Sequence, residues 1–463
     1  MQTFLISSSL LLLLLIFSSS DLLLRPSNAI GVNYGTLGDN LPPPVQVATF
    51  LHQQTIIDAV KIFSADPNIL HAFANTNISV TVTVANDEIP KLTRMRPARG
   101  WVNANILPFY PATKIIRIAV GNEVLYTGDK NLIVNLLLSM KNLHRALLRA
   151  KITNIQVSTP HTLGFLAASD PPSSGKFKLA YAKAVLAPML AFLRETKSPL
   201  MINPYPYFGF DPAKLNYALF KPNPGKYDPL TRLKYTSMFE AMLDAVFMAM
   251  KRLGYADIEI VVAETGWPSA GDPNQPANTI DNAVSYNGNL IKVVSSGKGT
   301  PMMPNRSFET YIFALFNENQ KPSIAERNFG LFKPDLTPVY DVGIMRSSQS
   351  GGGGPSPTIP SAPSGSGRKW CVAKGGIADQ ALQANIDYVC SSTGTDCKPI
   401  QGGGACFQPN TLAFHASYVM NSYYQAQGRT DSACSFANTG QVTTTDPSKT
   451  PPNPHHSICN QFF

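Results

Sequence analysis

Eight short runs rich in valine and isoleucine recur along the first three quarters of the chain, separated by longer helical patterns, and this rhythm limits the possible folds more than any other property. The runs are Ile30 to Gly35, Ala59 to Ser64, Ser79 to Ala85, Ile115 to Val120, Ile155 to Thr159, Leu200 to Tyr205, Ile258 to Glu264 and Tyr311 to Asn317. Near-continuous apolar runs are what parallel strands covered on both faces require. Between them, Leu132 to Ala150 and Tyr235 to Leu253 carry apolar residues at three- and four-residue intervals, and Gly254 stands where a C-cap belongs. Eight strand-then-helix units predict an α/β fold, a (β/α)8 TIM barrel. An open doubly wound sheet is the competing arrangement, but no glycine-rich phosphate loop follows the first run.

The rest of the chain is organised differently. At 463 residues the protein exceeds what one core usually serves. Residues 347–368 dissolve into Gly, Ser and Pro, a composition that cannot bury apolar surface and reads as a linker. It separates a barrel over residues 30–346 from a small module over residues 369–463. All six cysteines, Cys371, Cys390, Cys397, Cys406, Cys434 and Cys459, fall in that module. An even set in so small a segment reads as a disulfide framework, and the absence of a C-x-x-C pair argues against zinc. Residues 1–29 contain the apolar run Leu10 to Phe17, too short to span a bilayer, and read as a secretory signal peptide lacking the usual basic start. No apolar tail follows Cys459, so neither a lipid anchor nor a membrane span is expected. The balance of 38 basic against 29 acidic residues, +9, suits an acidic matrix, while the lack of a dense Lys/Arg run argues against nucleic acid.

In a barrel of this kind the chemistry sits where the strands end. The first run ends in Asn33 and Tyr34, the fourth in Asn122 and Glu123, the sixth in Asn203 and Tyr205. The seventh ends in Glu264, with Trp267 just beyond, and the eighth in Asn317 and Glu318. Two carboxylates for acid and nucleophile work, amides for hydroxyls and aromatic faces for pyranose rings are the makings of a glycosidase. Each residue alone has an ordinary structural reading as well. Their common position at strand ends carries the inference.

The strings IGVNYG, VGNEV, INPYPYF, ETGWPS, FNENQKP and ERNFGLF, in that order, resemble the motif set of plant glucan endo-1,3-β-glucosidases, glycoside hydrolase family 17. The resemblance implies a retaining mechanism acting inside β-1,3-glucan, with Glu123 as general acid/base and Glu264 as nucleophile. Retention requires the two carboxyls about 5 to 5.5 Å apart. Glu123 must hold its proton near neutral pH, whereas Glu264 must be ionised. Asn122 is then placed for the sugar 2-hydroxyl. Asn33, Asn203, Tyr34, Tyr205 and Trp267 are expected as further substrate contacts, the aromatics as stacking walls or supports for the carboxylates. Glu318, Lys321 and Glu326 resemble a charged cluster in which the lysine holds a carboxylate ionised. Two departures stand out: Lys321 to Arg327 is one residue short of the usual spacing, and Ser64 replaces a usual aspartate.

From Trp370 the sequence resembles carbohydrate-binding module family 43, which implies binding to β-1,3-glucan; Tyr418, Tyr423 and Tyr424 are the expected contacts. Six cysteines permit fifteen pairings, among which the sequence does not choose. Asn77 and Asn305 begin glycosylation sequons. Two-carboxylate chemistry calls for no metal or organic cofactor. The expected protein is a secreted, cell-wall monomer whose partner is β-1,3-glucan. Competing functions are a non-hydrolytic wall adhesin, separated by reducing-sugar release, and a transglycosylase, separated by products longer than the donor.

Overall fold

A computed structural model describes residues 30–346 and 369–444, apart from 393–394, 396, 403, 405, 408–409, 427–430 and 437–438. The expected signal peptide, the linker and Cys459 lie outside the described residues. The chain divides into two compact units, one up to Gly353 and one from Gly354. Among the described residues no helix is long and apolar enough to cross a membrane.

The first unit is a ring of parallel strands: β1 (Ile30–Tyr34), β2 (Ala59–Ile62), β3 (Ser79–Val84), β4 (Ile115–Val120), β5 (Gln156–Ser158), β6 (Pro160–Thr162), β7 (Leu200–Asn203), β8 (Ile260–Thr265) and β9 (Thr310–Ile312). Their order, β5-β4-β3-β2-β1-β9-β8-β7-β6, makes β5 and β6 the two ends of the sheet. These ends are neighbours in the chain, separated only by Thr159. Gln156–Ser158 pairs with β4, and Pro160–Thr162 pairs with β7. One bent strand therefore closes the ring. The fifth run expected from sequence is its first half, and Pro160, with no N–H to give, begins the second.

Helices α1 (Pro44–Gln54), α2 (Pro67–Ala72), α3 (Met95–Asn105), α4 (Val124–Thr127), α5 (Lys130–Arg149), α6 (Ala187–Glu195), α7 (Met238–Arg252) and α8 (Ile280–Ser295) lie between the strands. α7 starts three residues later than its periodicity suggests, because Ser237 accepts the Glu240 N–H as N-cap and Lys234–Tyr235 pairs with Lys226–Tyr227. Gly254, at φ +85°, follows its C-cap residue Leu253.

Alternation along the strands creates two apolar layers. Ile30, Val32, Val60, Val82, Ile118, Ile202 and Val262 join the core between ring and helices. Small or slender inward residues, Ala59, Ala119, Met201, Val261 and Ala263, share the interior with Tyr311. β9 is shorter than expected, since the residues after it divide their bonds: Phe313 and Leu315 still donate to the Thr265 and Asn33 carbonyls of the adjacent strands, while Ala314 exchanges hydrogen bonds with Phe329 and Leu331 of the returning segment.

The second unit is built on β10 (Trp370–Ala373), α9 (Asp379–Ser392), α10 (Leu412–Ala426) and β11 (Gly440–Thr443), with β10 and β11 antiparallel. Its core is small and centres on Leu382, Val389, Tyr418, Val419, Met420 and Tyr424. Disulfides join Cys371 to Cys434 and Cys390 to Cys397, and Cys406 is also disulfide-bonded.

Candidate active site

A cleft of about 520 Å³ opens at the C-terminal ends of the barrel strands. Gly35, Phe63, Asn122, Glu123, Tyr205, Phe208, Glu264, Phe313, Glu318, Lys321, Glu326 and Phe329 line it. Glu123 and Glu264, 141 positions apart in sequence, thus face one groove.

Strict alternation would aim Glu264 outward with Ile260 and Val262. It does not, because β8 carries an extra residue here: Val262 to Thr265 runs opposite Thr310 to Ile312. Such a bulge re-aims a side chain and is frequent beside active sites. Glu264 Oε1 accepts a hydrogen bond from Lys61 Nζ at 2.9 Å, and Oε2 accepts one from the Tyr205 hydroxyl at 3.2 Å. Lys61 is fully buried on the inward face of β2. Its ammonium lies 3.9 Å from the centre of the Phe63 ring and reaches Asn122 Oδ1 at 3.4 Å. A buried cation is tolerated only when paired in this way.

Glu123 is positioned by an unusual stretch of backbone. It sits in the left-handed region at φ 55°, two residues after Gly121 at φ +71°. A Cβ on Gly121 would lie 2.6 Å from both Asn86 Oδ1 and Val124 Cγ2, so only glycine fits there. Asn86 fixes the turn from both sides, accepting from Asn122 N–H at 2.8 Å and donating to the Asn122 carbonyl at 3.1 Å. Glu123 Oε1 accepts a hydrogen bond from Asn203 Nδ2 at 2.7 Å. The Glu123 carboxyl titrates above the usual range. Burial is the main cause and the nearby Glu264 carboxylate the second, while the Asn203 bond and Lys61 pull the other way.

The other residues expected from sequence divide into three groups. Asn122, Asn203 and Tyr205 join the two carboxylates. Tyr205 acts on Glu264 through its hydroxyl, which burial keeps protonated. Glu318, Lys321 and Glu326 line the same cleft, and the charge of Lys321 favours the ionised form of Glu318, as expected, while the buried ion pair to Glu264 comes from Lys61. Among the described residues Lys321 makes no ion pair, and its ammonium lies 5.0 Å from the centre of the Phe313 ring. Glu318 instead accepts the Leu37 N–H at 2.6 Å, bracing the loop after β1 against a carboxyl that burial shifts upward.

Asn33, Tyr34 and Trp267 do not reach the cleft. Asn33 is buried inside the ring and gives its amide to the Ala263 carbonyl at 2.9 Å. With Asn33 inward, alternation sends Tyr34 outward, where it packs on Phe73 and Phe316. Trp267 is completely buried, its indole N–H bonded to the Ala277 carbonyl at 2.9 Å and its ring packed on Tyr207, Phe210 and Tyr286.

In the small unit, Tyr418 and Tyr424 are core residues, contrary to expectation, because so small a module needs its large side chains inside. Tyr423 is half-buried against Tyr388 and Phe436. Tyr388, overlooked in the sequence, is 50 % exposed. Asn77 and Asn305 are both exposed. No group of three or more His, Cys, Asp or Glu among the described residues is arranged to hold a metal ion.

Lys61 and Asn86 were not legible as site residues. Lys61 did leave a signal: like Arg117 in β4, it is a charge inside an otherwise apolar strand, and a cation there must find an anion.

Comparisons of three kinds with known proteins agree. Residues 30–344 fit the model of glycosyl hydrolases family 17, and residues 369–441 fit the X8 domain. A glucan endo-1,3-β-glucosidase of Triticum aestivum is 52% identical over 435 residues, covering 91% of this chain and 94% of the relative; one from Olea europaea is 45% identical over 429 residues, covering 90% and 91%. Among solved structures, a β-1,3-glucanase and allergen of Cryptomeria japonica pollen superposes with a TM-score of 0.64 at 46% identity, covering 68% of this chain and 98% of that one.

Proposed function

Since the chain belongs to glycosyl hydrolases family 17, we propose that Glu264 and Glu123 carry out double displacement on internal linkages of β-1,3-glucan. The protein is a hydrolase, a glucan endo-1,3-β-glucosidase like its relatives. The observation that carries the residue assignment is the unequal setting of two carboxyls in one cleft. Glu264 lies against a buried ammonium; the hydrogen-bond partner of the Glu123 carboxyl among the described residues is an amide, and burial shifts that carboxyl upward.

In the first step a Glu264 oxygen attacks the anomeric carbon while Glu123 gives its proton to the departing glycosidic oxygen. In the second, Glu123, now a carboxylate, takes a proton from water as that water displaces Glu264. Lys61 and the Tyr205 hydroxyl hold the nucleophile in place and release it as charge moves onto the sugar. Asn122, tied to Lys61, is available for the 2-hydroxyl. The retaining course requires a carboxyl separation of about 5 to 5.5 Å.

The test is Glu264→Ala assayed on an activated β-glucoside. Azide should restore turnover and yield the α-glucosyl azide. Rescue of a Glu123 variant alone, or an inverted product from the wild type, would reverse or remove the assignment.

Residues 1–29 are read as a secretory leader, the cell wall as the place of action, callose or a related wall glucan as the natural substrate, and the working form as a monomer. The exposed Asn77 and Asn305 fit glycosylation on that route. Binding of β-1,3-glucan by the small module completes the reading, with the expected Tyr423 kept and Tyr388 taking the place of the buried Tyr418 and Tyr424 as its contact.

A further inference from the structure

The net charge of the chain has a single address. Residues 91–151 hold eleven Lys and Arg against two acidic residues, Glu123 and Asp129; the rest of the chain holds 27 of each sign. The whole +9 therefore arises in this one stretch. Arg117 is buried and paired with Glu309, but most of the other basic residues are exposed.

The fold gathers them on one flank. α3 and α5 pack side by side, and α5 is held to the segment before α3 by Ser139 Oγ donating to the Ile89 carbonyl and Asn142 Nδ2 donating to the Leu92 carbonyl. Arg94, Arg96 and Arg99 are exposed at the start of α3. Lys141, Arg145 and Arg149 recur every fourth residue along α5 and so share one stripe of that helix. None of these six makes an ion pair or a side-chain hydrogen bond among the described residues. The neighbouring anions are few: Asp87, beside Glu88, faces Lys91 at 4.0 Å, Asp129 caps α5, and Glu195 lies near His144.

Stability does not explain the arrangement. Arg94 and Arg96 sit at the N-terminus of α3, where the helix dipole disfavours cations, and no acidic residue occupies its first turn. Like charges four apart on α5 repel one another. Only Arg149, in the last turn of α5, is where a helix welcomes a cation.

We propose that this flank of α3 and α5 is a binding surface for an acidic polysaccharide, a polyuronate, that holds the enzyme in an anionic matrix independently of the catalytic cleft. A row of cations suits a polymer with a carboxylate on each residue. Trp101 and Phe109 beside the row are buried, so neither ring is available for nucleic-acid bases to stack on. Choosing a polysaccharide rests on the glucanase reading; the basic flank does not.

The experiment uses the full chain, immobilised polygalacturonate and a soluble β-1,3-glucan, at about 50 mM and about 300 mM salt. Two triple variants are compared with wild type: Arg94→Gln with Arg96→Gln and Arg99→Gln, and Lys141→Gln with Arg145→Gln and Arg149→Gln. A control removes three exposed lysines elsewhere, Lys176, Lys298 and Lys333. Wild type should bind at low salt and elute at high salt. Each flank variant should lose about tenfold in affinity, the control little, and turnover of soluble glucan should stay the same in all. Failure of wild type to bind, equal loss in the control, or tighter binding to duplex DNA or phosphatidylserine vesicles than to polygalacturonate overturns the proposal. Loss of turnover in wild type would instead strike the glucanase reading.

Discussion

The barrel and the small module solve the same problem with opposite means. The barrel is held by a continuous apolar core and by charges buried in pairs, Lys61 with Glu264 and Arg117 with Glu309, in a cysteine-free stretch. The module, with a handful of core residues, relies on covalent links at Cys371–Cys434 and Cys390–Cys397. A large core can afford paired charges inside and so can build a reaction centre; the small one needs its large side chains, Tyr418 and Tyr424 among them, for its own interior.

The largest expected effect tests the barrel's side of that contrast. Lys61→Met should lower kcat by about 10²- to 10³-fold, measured on soluble glucan, because the nucleophile loses its electrostatic partner. It should also destabilise the barrel toward the lower end of about 3–5 kcal/mol, since cleft water reaches Glu264. If Lys61→Met with Glu264→Gln is no more stable than Lys61→Met alone, the pair is not what sustains this part of the core.

On the module's side, Cys371→Ser with Cys434→Ser opens a loop of 63 residues, a loss of about 4 kcal/mol on the chain-entropy model; Cys390→Ser with Cys397→Ser, closing seven, should cost about 2 kcal/mol. Calorimetry should show the module's transition moving while the barrel's stays. Movement of both would break the comparison.

A third effect concerns acid. His161 is fully buried, its ring nitrogens have no partner among the described residues, and burial pushes its pKa down to about 4. Between about pH 6.5 and 4 the unfolded chain takes up a proton that the folded barrel refuses, so stability falls with acidification across that window and levels off below it. The loss amounts to about 3 kcal/mol. His161→Phe, stacked on Phe165, should flatten the pH dependence of the barrel's melting temperature.

Asn203→Ala removes a hydrogen bond that lowers the Glu123 pKa. The general acid would keep its proton longer, and the alkaline limb of kcat/KM should move up by about one pH unit. The smallest effect is expected from Tyr388→Ala, about threefold weaker binding to insoluble β-1,3-glucan with turnover of soluble glucan unchanged.

The two units also differ in how far their sequences could be read. In the barrel, eight apolar runs located the ring, and the polar residues ending them located Asn122, Glu123, Asn203, Tyr205 and Glu264 without side-chain detail. What the pattern could not convey were local breaks in period. The β8 bulge that turns Glu264 inward, and the left-handed backbone at Glu123, leave little trace in composition. Tyr34 could have been placed, since a strand residue cannot share a face with its neighbour Asn33. Trp267 could not, because its direction depends on the chain path after β8. In α10 the buried face is broad, from His415 to Tyr424, and helical period alone does not say which tyrosine faces out.

The bend at Thr159 has a further consequence. A sheet that ends in two free strands offers each as a template on which a neighbouring molecule can add its own. Here both would-be margins are consecutive links of one polypeptide, so no seam can be unzipped by hydrogen-bond exchange alone. Strand addition to this sheet would first require that corner to straighten, which shields the ring itself from fibrous assembly wherever molecules are crowded together.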